Sequence, residues 1–228
     1  MIHDMTNYYY NNLAAERLKH CYEIASPRVR QYLNAEISYV IDKIHKDDLV
    51  LELGCGYGRA LKSIAQKSGT IIGIDISLSS LVFGTHLLNK IPNCSLANMN
   101  AIKLAFTEQT FDVVICIQNG ISAFQVNQRD LIAESIRVVK TRGTILFSSY
   151  SDKFWPYRLE WFQSQSKAGL IGKIDFRKTG NGIIVCDDGF EATTVRPDEF
   201  VHLLSDHNVK INITEVDESS IFYEMIKL

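Results

Sequence analysis

Glu52, the glycines at 54, 56 and 58, and Asp75 are the residues of this chain best suited to chemistry. The run Glu52-Leu53-Gly54-Cys55-Gly56-Tyr57-Gly58 follows an apolar stretch, and Asp75 ends the stretch Ile71-Ile72-Gly73-Ile74. Glycines allow a sharp turn after a buried strand and let a ligand approach the backbone where a Cβ would obstruct it. A helix after such a turn aims its N-terminal amides, and the positive end of its dipole, into the same crevice. A carboxylate ending the next strand is placed to accept hydrogen bonds from a ribose diol. A dinucleotide fingerprint, Gly-x-Gly-x-x-Gly/Ala, needs a small residue at 59, where this chain has Arg59. Glu52 suits a cationic amino group and repels a pyrophosphate. The pattern is that of a nucleoside site; its bland rival is a turn that only links a strand to a helix.

The elements that must position these residues alternate in type. Ser26 and Pro27 open a helix in which Val29, Leu33, Ile37, Val40, Ile41 and Ile44 recur at helical spacing. Strands are expected at 49–53, 70–75, 94–97, 111–117 and 144–149, with helices at 58–67, 78–88 and 127–139 between them. Strands apolar on both faces and alternating with helices predict a parallel sheet covered on both sides. Beyond 150 the texture changes. Residues 152–168 are rich in aromatics, Thr179-Gly180-Asn181-Gly182 is a hairpin signal, and a third short run follows Asp187-Asp188-Gly189. Pro197 opens a helix to about 207, and 210–216 pairs with 220–226.

Bulk properties narrow the class. With 228 residues the chain can bury one sizeable core, and 46% hydrophobic with 22% charged residues is ordinary for a globular protein. A net charge of −2 gives no general attraction to nucleic acid phosphate. The five cysteines, at 21, 55, 94, 116 and 186, have no C-x-x-C spacing and read as free thiols in a reducing compartment. No secretion signal and no membrane span are read, so a cytoplasmic location is expected, with no membrane partner, no nucleic acid partner and no metal.

The segment Glu-Leu-Gly-x-Gly-x-Gly resembles motif I of the class I S-adenosylmethionine-dependent methyltransferases, and Asp75 matches the acid of their second strand. The likeness runs from about 48 to 150, with a compatible tail to 228. It implies an α/β, Rossmann-like seven-stranded sheet, parallel with an antiparallel last strand, with helices on both faces. To this the chain would add an N-terminal helical lid at 1–45 and a β-hairpin insertion after strand five. The cofactor core would span 46–150, the substrate-side insertion 151–196, and a closing helix and hairpin 197–228, all in one domain.

The resemblance also implies site roles. Glu52, Gly54, Cys55, Gly56 and Gly58 would face the methionine part of S-adenosylmethionine, Asp75 its ribose and Ile76 its adenine face. Met99-Asn100-Ala101-Ile102-Lys103-Leu104-Ala105-Phe106 resembles the family's Asp-Ala-x-x-Leu-Pro-Phe loop. There Asn100 would accept from the adenine amino group, more weakly than the family's Asp, and the Ala101 amide would contact the ring. Gln118 and Asn119 would lie beneath the sulfonium. The Asn/Asp-Pro-Pro-Tyr/Phe motif of amide- and base-modifying relatives is missing: Gln118-Asn119-Gly120-Ile121 stands in its place. The acceptor is expected between Tyr8, Tyr9 and Tyr10 on one side and Trp155, Tyr157, Arg158 and Trp161 on the other, with Arg28 or Arg30 available for a carboxylate. Those aromatics could equally pack an extension onto the core, and the arginines could stay in solvent.

The implied activity is methyl transfer from S-adenosylmethionine to a small molecule, slightly favouring an amine nitrogen, with S-adenosylhomocysteine as product. Positioning would supply most of the acceleration. None of the six histidines falls in the loop after strand four, and no general base is nominated. Methylation of RNA or protein, and binding of the cofactor without turnover, remain open alternatives. The oligomeric state is not legible.

Overall fold

The computed structural model describes residues 8–228; residues 1–7 of the expected N-terminal extension lie outside the described residues. Helices α1 (Tyr8–Asn12), α2 (Glu16–Glu23) and α3 (Pro27–Lys43) precede β1 (Leu49–Leu53). Then follow α4 (Leu61–Ile64), β2 (Thr70–Asp75), α5 (Leu78–Leu88), β3 (Cys94–Asn98) and β4 (Phe111–Cys116). Next come α6 (Gly120–Ala123), α7 (Gln128–Val138), β5 (Val139–Tyr150) and α8 (Trp155–Lys167). The short strands β6 (Ile184–Val185) and β7 (Glu191–Ala192), then α9 (Pro197–Leu203), β8 (Val209–Val216) and β9 (Ser220–Lys227) complete the chain.

Seven strands form one sheet in the order β3-β2-β1-β4-β5-β9-β8. Strands β1 to β5 pair in parallel, and β9 runs antiparallel to both β5 and β8. The expected Rossmann-like sheet, with its last strand reversed, is therefore present. Val50 pairs with Ile71 on one side and Val113 on the other, so the carboxyl ends of β1, β2 and β4 emerge side by side. One face packs on α3, α4 and α5 through Val40, Ile64 and Leu81, and the other on α7 and α9 through Leu131, Ile132 and Phe200.

Three elements differ from the sequence expectation. The helix expected at 58–67 is reduced to Leu61–Ile64. Gly58 sits at φ 81° and cannot continue a right-handed helix. Strand β5 begins at Val139 instead of 144, because its pairing with β4 shifts register between Phe111 and Val113 and takes in the polar Lys140–Gly143 segment. The hairpin signal at 179–182 yields a single Gly180–Ile183 bridge, and the pairing lies further on, between β6 and β7.

A third apolar cluster joins the N-terminal helices to the insertion after β5. Leu13, Cys21 and Tyr32 pack there with Phe154, Trp161, Phe162 and Phe190. Trp161 Nε1 donates to Cys21 O at 2.8 Å, Arg17 donates to Gly169 O and Leu170 O, and the Tyr8 hydroxyl bonds Asp188. The two segments thus make one body.

Helix α5 lies directly against the glycine turn. A Cβ on Gly84 would stand 2.8 Å from Tyr57 O and 3.1 Å from a Leu96 methyl. Backbone cannot yield as a flexible side chain can, so Gly84→Val is expected to cost about 3 kcal/mol and lower the melting temperature by roughly 6–12 °C. Val82→Ala, at an exposed position of the same helix, is the control and should change the thermal unfolding curve little.

Candidate functional site

A cavity of about 540 Å³ opens between the carboxyl ends of β1, β2 and β4 and the body formed by the N-terminal helices and α8. Glu52, Gly54, Cys55, Gly56, Asp75, Ile76, Asn100, Ala101 and Gln118 all line it. Residues more than sixty positions apart in sequence therefore meet on one surface. Gly54 adopts φ 70°, and a Cβ there would overlap the Phe124 ring, so only glycine fits this turn.

Asp75 holds the turn in shape. Its Oδ2 accepts from Gly56 N at 2.8 Å and its Oδ1 from Ser77 N at 2.7 Å. Ser77 in turn caps α5, accepting from Ser80 N. Burial raises the Asp75 carboxyl above its ordinary value, and the two backbone amides oppose that shift. Ile76 is 38% exposed at the cavity mouth. Asn100 turns its Oδ1 to Ile102 N at 3.1 Å, which shapes the loop after β3.

Glu52 is buried, and its Oε2 has no hydrogen-bond partner. Burial pushes this carboxyl up to about 8, with the Arg59 guanidinium acting in the opposite direction. Arg59 also lines the cavity, stacked 4.5 Å over the Tyr22 ring, and its buried Nε and Nη2 are unpaired. Gln118 Nε2 is a third unpaired buried group. Unsatisfied buried polar groups are costly and rare, and three of them share this cavity. Gln118 and Asn119 both sit in the left-handed region, at φ 58° and 61°. Strain of this kind in non-glycine residues is concentrated at functional sites.

Several expected site residues stand elsewhere. Gly58 serves the turn itself, donating to Cys55 O at 2.8 Å, and does not reach the cavity. The Asn119 side chain faces away, bonding Thr193 O and the Ser149 hydroxyl. Tyr8 packs edge-on to Phe190, whereas Tyr9 and Tyr10 do line the cavity. Arg28 is spent on Asp217 at 2.7 Å and lies over Phe154 and Tyr157. Tyr157 and Trp155 lie outside the lining. Arg158 is 1% exposed and donates to Gly182 O, Ala192 O and the Thr194 hydroxyl, tying the insertion together. Neither Arg28 nor Arg158 lines the cavity.

Other residues are brought in that the sequence did not single out. Tyr22, Tyr32, Tyr150, Phe124 and Arg59 line the cavity, as does Trp161, which was anticipated. Glu36 lies just behind it, accepting from Gln118 N at 2.7 Å and from the Ser220 hydroxyl at 2.6 Å. Burial raises its carboxyl to about 7. The signal was present: Glu36 shares the apolar face of α3 with Val29, Leu33 and Val40, where a carboxylate is out of place.

No histidine or lysine among the described residues lines the cavity. Among the described residues no helix is long and apolar enough to cross a membrane, and no cluster of ligating side chains is placed to hold a metal ion.

Comparison with known proteins agrees with this geometry. Residues 50–143 match the family model described as a methyltransferase domain. A ubiquinone biosynthesis O-methyltransferase from Hydrogenovibrio crunogenus is 25% identical over 126 residues, covering 54% of this chain and 52% of that protein. The chain spans about half the length of the curated relatives it matches. A solved structure from Pyrococcus horikoshii superposes with a TM-score of 0.65 at 17% identity, covering 100% of this chain and 99% of that one. The N-methyltransferase NodS from Bradyrhizobium japonicum, solved with S-adenosyl-L-homocysteine, gives 0.63 at 12% identity, covering 95% and 99%. The fold is that of the class I S-adenosylmethionine-dependent methyltransferases, and residues 50–143 match a methyltransferase domain. The cofactor of that class is S-adenosylmethionine.

Proposed function

We propose that the protein transfers the methyl group of S-adenosylmethionine to a small-molecule acceptor, with an amine nitrogen as first candidate, in the reducing cytoplasm. The observation that carries the cofactor part is the set of unpaired groups around the glycine turn. Glu52 Oε2 wants a donor while Arg59 Nε and Nη2 want an acceptor, and the amino-acid end of the cofactor offers both. Gly54, Cys55 and Gly56 let that end approach the backbone. Asp75 would take the ribose hydroxyls, and Ile76, Asn100 and Ala101 the adenine. Gln118 would border the sulfonium.

Bound S-adenosylmethionine supplies an already activated methyl group. The chain's own task is then alignment and exclusion of water, which fits a lining without histidine among the described residues. The small acceptor is favoured by the net charge of −2, by the enclosed cavity and by the absence of the Asn-Pro-Pro-Tyr type of motif after β4. The amine preference rests on the aromatic walls, on which a planar nitrogen compound can stack.

Calorimetric titration with S-adenosylmethionine and S-adenosylhomocysteine is the first test, followed by a labelled-methyl assay on separate panels of amines, phenols and alcohols. Micromolar binding and transfer to one panel is the expected result. Absence of binding to either compound, in folded protein free of copurified ligand, overturns the reading.

A further inference from the structure

Six aromatic side chains, Tyr9, Tyr22, Tyr32, Tyr150, Trp161 and Phe162, line the cavity as an aromatic chamber. They come from α1, α2, α3, β5 and α8, so the chamber exists only in the folded chain. Such a cage is usually read as a receptor for a cation. Here three of its rings, Tyr22, Tyr150 and Phe162, are already engaged with guanidinium groups. Arg59 lies 4.5 Å from the Tyr22 ring centroid, and Arg158 lies 4.1 Å from that of Tyr150.

The charges around the chamber point the same way. Arg158 is fully buried, bonds only neutral oxygens, and has no carboxylate partner. A guanidinium does not lose its proton inside a protein. The acids that face it are Glu36 from α3, Glu52 from β1 and Asp75 from β2. Glu36 lies behind the lining with its oxygens accepting from Gln118 N and the Ser220 hydroxyl, burial raises the Glu52 carboxyl, and Asp75 is bonded to two backbone amides. The tyrosine hydroxyls at 9, 22, 32 and 150 are all pushed up by burial and stay neutral. An ammonium ion entering this chamber would lose its hydration beside the buried Arg158 guanidinium, whose charge no carboxylate among the described residues balances.

On the methyltransferase reading above, we propose that this chamber is the acceptor subsite and takes a planar, uncharged aromatic nitrogen compound, an arylamine or a ring nitrogen, in preference to a protonated alkylamine. Flat rings stack on the walls. Gln118 Nε2, buried and unpaired on the lining, supplies one hydrogen-bond donor to the ligand. A neutral nitrogen of this kind carries a free lone pair. As the N–CH3 bond forms, the S–CH3 bond breaks with its electron pair left on sulfur, and the positive charge passes to the nitrogen. An arylamine then releases a proton from that nitrogen to water, so no base has to act before the transfer. That agrees with a lining that, among the described residues, holds neither histidine nor lysine. A phenol would need such a base.

The isomers 4-methylaniline and benzylamine share size and composition, but at pH 7.5 the first is neutral and the second protonated. Each is titrated into 15N-labelled protein saturated with S-adenosylhomocysteine, whose binding is measured separately by calorimetry. The chain has two tryptophans, so the Trp161 indole N–H resonance is assigned by Trp155→Phe, a change outside the cavity lining. The expected result is a shift of the Trp161 resonance with a dissociation constant for 4-methylaniline roughly tenfold or more below that for benzylamine. Equal or tighter binding of benzylamine overturns the proposal. So does the failure of either isomer to move the resonance in protein that binds S-adenosylhomocysteine, and in that case the cofactor reading stands. Loss of S-adenosylhomocysteine binding itself is the separate result that would overturn the methyltransferase reading.

Discussion

Asp75→Ala is expected to weaken S-adenosylhomocysteine binding by about 50-fold. A hydrogen bond to a charged group is worth about 1.5–3 kcal/mol, and tenfold in affinity corresponds to about 1.4 kcal/mol. The substitution removes the proposed bonds to the ribose. It also frees the Gly56 and Ser77 amides that Asp75 now holds at 2.8 and 2.7 Å. Part of the loss will therefore appear as a looser turn, visible as a lower melting temperature without ligand. Asp75→Asn separates the two contributions. It keeps one accepting oxygen and the shape of the turn but loses the charge, and should fall between Ala and the native protein. Calorimetry at fixed salt reads the affinity. Native affinity in the Ala variant would remove Asp75 from the cofactor site.

Glu52→Gln should make the protein more stable at alkaline pH and poorer at binding. In the folded chain burial raises the Glu52 carboxyl from 4.5 to about 8, and Glu36 to about 7. The folded state therefore binds more protons than the unfolded state between these limits. The stabilising contribution is complete below about pH 4.5 and is lost as pH rises through 7 and 8. The melting temperature should accordingly fall from pH 5 to pH 8.5. Gln cannot ionise, so at pH 8.5 the variant should gain about 2 kcal/mol, or roughly 4–8 °C. The proposed ammonium partner would be gone, and affinity should drop about tenfold or more. Binding to the native protein at pH 7 should release up to one proton as Glu52 ionises against the ligand's ammonium. Calorimetry in two buffers of different ionisation enthalpy detects that proton, and its absence in both native and variant protein would contradict the assignment.

The same carboxyl illustrates what could be read in advance. Glu52 stands in an apolar strand immediately before glycines, and local sequence alone marks it as out of place. The sheet was legible for the same reason: β1, β2 and β4 are apolar runs whose neighbours along the chain decide their structure. β2 and α5 fall at their expected bounds. Asp75 needed only its place at a strand end. The misreadings are equally instructive. The helix after the glycine turn is short because Gly58 takes a left-handed backbone, and β5 is long because its partner shifts register, neither of which hydrophobic periodicity encodes.

The acceptor side was illegible for a different reason. Aromatic residues at 8–10 and 155–162 have the same local pattern whether they face a ligand or a core. Tyr9 and Trp161 face the cavity, while Tyr8 packs on Phe190 and Tyr157 lies under Arg28. Arg158 could have met an acceptor carboxylate, and instead it binds carbonyls from residues 182 and 192. Those choices depend on contacts between segments some 25 to 180 positions apart. By itself the sequence determined the order of strands and helices, the glycine turn and the acids beside it, because backbone conformation and hydrophobic pattern act over a few residues. Only the tertiary structure decided which aromatic rings and guanidinium groups share the cavity, because packing and charge pairing act through space.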